Sequence, residues 1–185
     1  MFETRDLDEA RERVGRLLCP HRIEMAGRAR SFFLRVNHAR LENLSVSYVQ
    51  YKGNVRIDPG ELEQFYRIGL PLSGATVVSC GAQRVISKPG MAAIQSPGKS
   101  VQVDWSNACQ KMVVKIPQAI LDRHLADLLG RSLKAPIEFK LGIDTNWGFG
   151  ASLMRTVTSI AQERGHLSVP KWSQTVASRV EERLM

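Results

Sequence analysis

Between Leu44 and Ile116 the sequence breaks every few residues at a turn signal, and this punctuation limits the fold more than any other feature. The signals are Lys52-Gly53-Asn54, Asp58-Pro59-Gly60, Ser73-Gly74, Cys80-Gly81-Ala82, Lys88-Pro89-Gly90, Ser96-Pro97-Gly98 and Ser106-Asn107. Glycine and asparagine tolerate positive φ, and proline fixes φ near −65°, so each cluster reverses or kinks the chain. No helix of ordinary length fits between them. The intervals carry β-prone runs at 44–51, 55–57, 64–72, 76–79, 83–86, 91–94, 101–105 and 110–116. Short strands at this spacing predict a sandwich or small barrel. Asp58-Pro59-Gly60 is expected to close the second strand.

The flanks follow another period. Leu7, Ala10, Val14, Leu17 and Leu18 share one helical face, with Asp6 as cap, Glu9 completing a loose capping box, and Pro20 as the stop. Residues 28–36 are β-prone. After Pro117, Ile120, Leu121, Leu125, Leu128 and Leu129 describe an amphipathic helix that Gly130 closes. Residues 131–145 read as irregular. A second helix, capped by Thr145 or Asn146, runs to Arg164 with Leu153, Val157, Ile160 and Ala161 on one side. A third starts near Pro170, with Trp172, Val176, Val180 and Leu184 on a face. Met185 falls inside that apolar pattern, as expected of the front part of a longer protein. The reading is α+β: an N-terminal helix and first strand over 1–40, a barrel over 41–117, and a helical region over 118–185.

The 185 residues suit one domain. With 43% apolar and 24% charged residues the chain is neither collagenous, disordered nor a coiled-coil rod. A net charge of +8 invites a nucleic-acid reading. The charge is spread, however: net +3 over 1–40, +3 over 41–117 and +2 over 118–185, with no basic arm. A solvated basic surface fits it equally. Cys19, Cys80 and Cys109 are odd in number, widely spaced and form no CxxC, which points to a reducing compartment. Charged residues follow Met1 where a signal peptide would be apolar, and no run reaches the ~20 apolar residues of a membrane span. A cytoplasmic location, with no membrane partner, is expected.

Metal-dependent barrels cluster His and Glu from neighbouring strands. The four histidines, His21, His38, His124 and His166, all lie outside residues 41–117. Glu61, Glu63 and Asp104 remain as an all-carboxylate alternative, but the first two sit in a turn. No metal and no cofactor is expected. GxSxG, P-loop, GxGxxG and HExxH patterns are absent. Cys80 and Cys109 read as small core residues rather than nucleophiles.

A pocket is the remaining candidate. On strand 64–72, Tyr66, Ile68, Leu70 and Leu72 form a continuous apolar face that should meet packed protein. Phe65, Arg67, Gly69 and Pro71 form the other, where Gly69 and Pro71 leave room. Either Arg67 lies on a wet face, or it points a guanidinium into an apolar lumen, where it would want a carboxylate. Val101, Val103 and Trp105 share a face, as do Gln110, Met112, Val114 and Ile116; these would supply apolar walls and one amide, and Tyr48 a hydroxyl. The candidate effector-binding set is therefore Arg67, Phe65, Tyr48, Val103, Trp105, Gln110 and Met112. Small barrels are also simply filled by such side chains.

The motifs in order carry a resemblance. Asp58-Pro59-Gly60 precedes Phe65-Tyr66, and Leu70-Pro71-Leu72-Ser73-Gly74 follows. Then come Lys88-Pro89-Gly90-Met91-Ala92-Ala93-Ile94, Ser96-Pro97-Gly98, and Val113-Val114-Lys115-Ile116-Pro117 opening a helix. This resembles the amino-terminal half of AraC-type transcriptional regulators, over nearly the whole chain. The resemblance implies a cupin-like double-stranded β-barrel (jelly roll) that binds a small effector, and C-terminal helices that form a dimerisation hairpin. DNA would be read only by a carboxy-terminal helix-turn-helix domain, which this sequence lacks. Leu153, Val157, Ile160, Trp172 and Val176 are the dimer-contact candidates of a homodimer. Two other readings compete: a cupin-type isomerase or oxygenase, against which the histidine-free barrel counts, and a self-standing basic nucleic-acid-binding module, prompted by the +8.

Overall fold

The computed structural model describes residues 1–27 and 31–162. In chain order the elements are β1 (Phe2–Thr4), α1 (Leu7–Leu17), β2 (Arg22–Met25), β3 (Phe33–Arg40), β4 (Ser45–Lys52), β5 (Val55–Glu61), β6 (Phe65–Ser73), β7 (Thr76–Cys80), β8 (Gln83–Ser87), β9 (Met91–Gln95), β10 (Ser100–Trp105), β11 (Gln110–Pro117), α2 (Gln118–Leu129), β12 (Gly142–Asp144) and α3 (Gly148–Gln162). Seven strands form one sheet in the order β1-β3-β4-β11-β6-β9-β12, and five form a second in the order β2-β5-β10-β7-β8. All the pairings are antiparallel. This is the cupin-like α+β architecture that the sequence predicts.

Local chemistry explains most of the elements. Asp6 is the N-cap of α1, its carboxylate accepting from the Glu9 N–H at 2.8 Å. The Glu9 side chain reaches back to the Thr4 hydroxyl, which in turn accepts from the Asp6 N–H at 3.1 Å. Gly130, at φ +64, ends α2 with its N–H turned back to the last carbonyls. Gly74, at φ +70, lies so close to Cys109 that a Cβ there would fall 2.8 Å from the Cys109 Cα. The chain can turn from β6 to β7 at that point only with glycine.

Two apolar cores flank the seven-stranded sheet. The inner core lies between the sheets, and includes Leu34, Val36, Val49 and Tyr51 from one and Val55, Val78, Val101 and Val103 from the other, closed by Ala10 and Val14 of α1. The outer core lies on the opposite face and joins Val46, Tyr48, Ile68, Leu70, Met112 and Val114 to Leu153 and Val157 of α3. Alternation along β4, β6 and β11 thus divides each strand between two buried environments.

Several expectations need correction. Asp58-Pro59-Gly60 lies inside β5, which runs on to Glu61. Val101 pairs with Gly60 and Val103 with Ile57, so Asp58 and Pro59 together oppose one residue in a bulge, where proline costs no ladder bond. The Asp58 carboxylate supports it by accepting from the Gly60 N–H at 2.9 Å. The segment 1–40 contributes β1 and β3 to one sheet and β2 to the other, so strands before residue 41 are part of the barrel. Within the supposedly irregular 131–145, β12 adds to the sheet edge against β9. Three-residue strands carry too little pattern to stand out in a sequence.

The helical face assigned to dimer contact is also different. Leu153 and Val157 are 4% and 0% exposed and pack on their own sheet. An amphipathic stripe says only that a helix covers something, and here it covers the outer core. The Ile160 side chain, Trp172 and Val176 lie outside the described residues, as does the third helix expected from Pro170. Among the described residues, no helix is long and apolar enough to cross a membrane. Leu153→Ala should cost about 2–5 kcal/mol of stability by urea unfolding, with no change in oligomeric state by light scattering.

Candidate functional site

The inner core is not completely filled. A narrow cavity of about 40 Å³ lies between the sheets. The seven-stranded sheet lines it with Val49, Tyr51, Arg67, Gly69, Gln95, Lys111 and Val113, and the five-stranded sheet with Ile57, Val103 and Trp105. Val14, Leu18, Cys19 and His21, from α1 and the turn after it, supply the remaining wall. Lys115 ties that wall down by donating from its ammonium to the Leu18 carbonyl.

Arg67 is 9% exposed, near the start of β6. Its Nε donates to Gln95 Oε1 at 2.5 Å, across the β6–β9 pairing. Its Nη2 is buried and has no hydrogen-bond partner. Burial lowers the Arg67 pKa, yet a guanidinium remains charged at any physiological pH. Two further buried polar atoms of the lining are unpartnered, His21 Nε2 and the Tyr51 hydroxyl. His21 is held by its other ring nitrogen, Nδ1, 3.0 Å from the Cys19 carbonyl oxygen.

Lys111 is 4% exposed and extends from β11 across the lumen. Its Nζ donates to the Thr76 hydroxyl at 2.8 Å and sits 4.8 Å from the centre of the Trp105 ring. Gly69 makes room for it: a Cβ there would come within 3.2 Å of both Cδ and Nζ. Burial pushes the Lys111 pKa down to about 7, with the Arg67 charge acting in the same direction. Burial also lowers His21 and raises the Cys19 thiol and Tyr51 hydroxyl. Two basic side chains therefore face one apolar cavity whose lining, among the described residues, contains no carboxylate. Such a site favours an anion with an apolar body.

Of the seven residues singled out in the sequence, Arg67, Val103 and Trp105 line this cavity. Phe65 belongs to the inner core but carries the Lys115 ammonium over its ring at 4.3 Å rather than lining the space. Tyr48 and Met112 pair with each other on the outer face, beneath α3. Gln110 sits at the start of β11 opposite Gln50 and Ser73, away from the cavity. The expectation that the more apolar face of β11 walls the lumen reverses the strand. The apolar face is buried under helices, and the lumen receives Lys111 and Val113. Lys111, Gln95, His21 and Tyr51 are among the lining residues that sequence reasoning misses. The one available signal is parity: Lys111, Val113 and Lys115 pair across from Pro71, Gly69 and Arg67, so the room-leaving face of β6 implies their side. Among the described residues, no three His, Cys, Asp or Glu side chains gather to hold a metal ion.

Fold and cavity together define a cupin-like barrel with a cationic, acid-free interior, a binding domain rather than a bare scaffold. The chain matches the AraC-binding-like domain family over residues 10–185 and belongs to it, as an effector-binding domain of the AraC regulator type. It is 26% identical over 161 residues to the probable thc operon regulatory protein of Rhodococcus erythropolis, covering 85% of this chain and 48% of that one. It is 28% identical over 93 residues to the XylDLEGF operon transcriptional activator of Pseudomonas putida, covering 50% of this chain and 29% of the relative. The chain thus spans about half the length, or less, of these curated relatives. The crystal structure of the AraC-like transcriptional activator CuxR superposes with a TM-score of 0.69 at 14% identity, over 99% of this chain and 68% of that one, which establishes the likeness of fold.

A depressed lysine pKa has a defined consequence for stability. The unfolded chain holds the Lys111 proton up to its ordinary pKa of 10.5, whereas the folded chain releases it near 7. The burial penalty is therefore complete below about pH 7 and fades as pH rises toward 10.5. Lys111→Met should stabilise the fold on the order of a few kcal/mol at pH 6–7. In urea unfolding series, that advantage should shrink steadily between pH 7 and pH 10.

Proposed function

We propose that this chain is the sensing region of a DNA-binding transcriptional regulator, and that its inner cavity takes a small organic acid as effector. The observation that carries the reading is Arg67: a buried guanidinium whose Nη2 has no partner among the described residues, in a cavity to whose lining those residues supply no carboxylate. An acid would supply the missing acceptor in bidentate or single hydrogen bonds, while Trp105, Val103, Val49 and Val113 hold its apolar body. The domain is assigned a regulatory role, with no catalytic residue and no cofactor.

The size of the cavity supports a switch. The cavity is narrow for an organic acid of several carbons, and parting of its walls would admit one more readily. The two sheets are tied by their ladders, whereas α1 and the turn after it rest on the inner core through Val14, Leu18, Cys19 and His21. An effector would bind best to arrangements in which that segment is displaced. Binding would thereby shift the population between two states. Subunit pairing is assigned to the helical region 118–185, with Leu153 and Val157 excluded because they pack on their own sheet, and Trp172 and Val176 as contacts to test. DNA recognition, in the cytoplasm, is assigned to the part of such regulators that lies outside the length matched here.

A thermal-shift and calorimetric screen with small mono- and dicarboxylic acids tests the reading. An acid that binds should raise the melting temperature of the wild type, and Arg67→Met should weaken it about 10–150-fold through loss of a charged hydrogen bond. Equal binding by Arg67→Met would remove Arg67 from the site.

A further inference from the structure

The proposed site contains a second cation that the Arg67 argument does not use. Gly69, over which the Lys111 amine lies, is two residues from Arg67 on the same face of β6. Same-face neighbours on a strand are about 6.8 Å apart. Both side chains line one cavity and the Arg67 charge acts on the Lys111 amine, so a carboxylate in the lumen faces both groups.

Among the described residues, the titratable groups around that amine are Arg67 from β6, Tyr51 from β4, His21 and Cys19 from the segment after α1, and Cys109 from the turn before β11. None is a carboxylate, and Thr76 and Trp105 on the opposite sheet are neutral. An ammonium here is desolvated and repelled by the guanidinium, so the free amine is favoured. An arriving carboxylate reverses that balance, because it places a negative charge against the nitrogen in a low-dielectric site.

We infer that Lys111 is the second anchor for the acid and that the site takes up a proton when the acid binds. The carboxylate enters ionised, one proton comes from solvent, and the bound form is a carboxylate between the Arg67 guanidinium and the Lys111 ammonium. No covalent bond forms or breaks. Carboxylate plus proton is the neutral acid in sum, so the sensor responds to the acid and to acidity together. This inference rests on the reading of the cavity as an effector site.

The pKa near 7 sets the scale of the effect. At pH 8 about nine in ten Lys111 side chains are neutral in the free protein, and at pH 7 about half. Binding should then take up about 0.9 proton per acid at pH 8, about 0.5 at pH 7 and about 0.1 at pH 6. Affinity should be about fivefold tighter at pH 7 than at pH 8.

The experiment is titration calorimetry of the full chain with hexanoate, phenylacetate and adipate, each in phosphate and in Tris. The difference in apparent heat between the two buffers counts the protons. The expected result is uptake that follows a midpoint near pH 7, vanishes in Lys111→Met with an affinity loss of at least about tenfold at pH 7, and persists at pH 8 in His21→Gln. Should Lys111→Met not fold, the wild-type profile still decides. Uptake by His21, whose free pKa is held below the ordinary 6.5, would rise through a midpoint below about 6.5 and be nearly complete already at pH 7, whereas Lys111 uptake is half-developed at pH 7 and still rising toward pH 8. Arg67-dependent binding at pH 8 without proton uptake overturns this inference and leaves the effector reading intact. Uptake that survives in Lys111→Met also overturns it. If none of the three acids binds the wild type, the effector reading falls and this inference falls with it.

Discussion

The seven-stranded sheet is buried on both faces, and this double coverage organises the molecule. Strand alternation normally separates a dry face from a wet one. Here it separates two dry faces with different requirements. On β6, Tyr66, Ile68 and Leu70 face the outer core beneath the helices. Arg67 and Gly69 face the space between the sheets. Both sets are buried, so the polar set is cut off from bulk water. Arg67 and Lys111 must find partners within the lumen, and the lumen provides an amide, a hydroxyl and an aromatic face, but no acid.

The cavity is therefore electrostatically unfinished while its apolar packing is nearly complete. A native core that retains two buried basic groups without a counter-ion gives up stability, because each would be replaced at little cost by an apolar side chain of similar volume. Retaining them is understandable where recognition of an anion returns the energy. The N-terminal segment is the element through which such recognition is felt. It adds two strands to the sheets, β1 and β2, yet between them α1 and Cys19–His21 lie on the cavity as a separate wall. Occupancy of the lumen and placement of that wall are thus one mechanical question.

Much of this is legible in the sequence. The turn clusters located β4 to β11, with β5 cut short at Asp58-Pro59-Gly60. Capping chemistry located α1, and Gly130 closed α2. Turn type and caps are decided by residues adjacent in sequence, so they can be read locally. The strands that escaped notice, β1, β2 and β12, are three or four residues long and exist because a neighbouring edge stabilises them. The placement of Tyr48 and Met112 failed for a related reason. Apolar character shows that a strand face is buried, and β4 and β11 have two such faces.

The sequence by itself determined that this chain is a strand-rich barrel with helical flanks, that Arg67 shares a face with room beside it, and that no histidine lies within residues 41–117. Those statements follow from side-chain chemistry and its period along the chain. The tertiary structure alone decided which face looks inward. It brought Lys111 over Gly69 from the neighbouring strand, closed the lumen with His21 and Leu18, and turned Leu153 and Val157 onto the chain's own sheet. Each of these depends on pairing between residues tens of positions apart. Such pairing is set by the global packing of two cores, to which no local window of sequence has access.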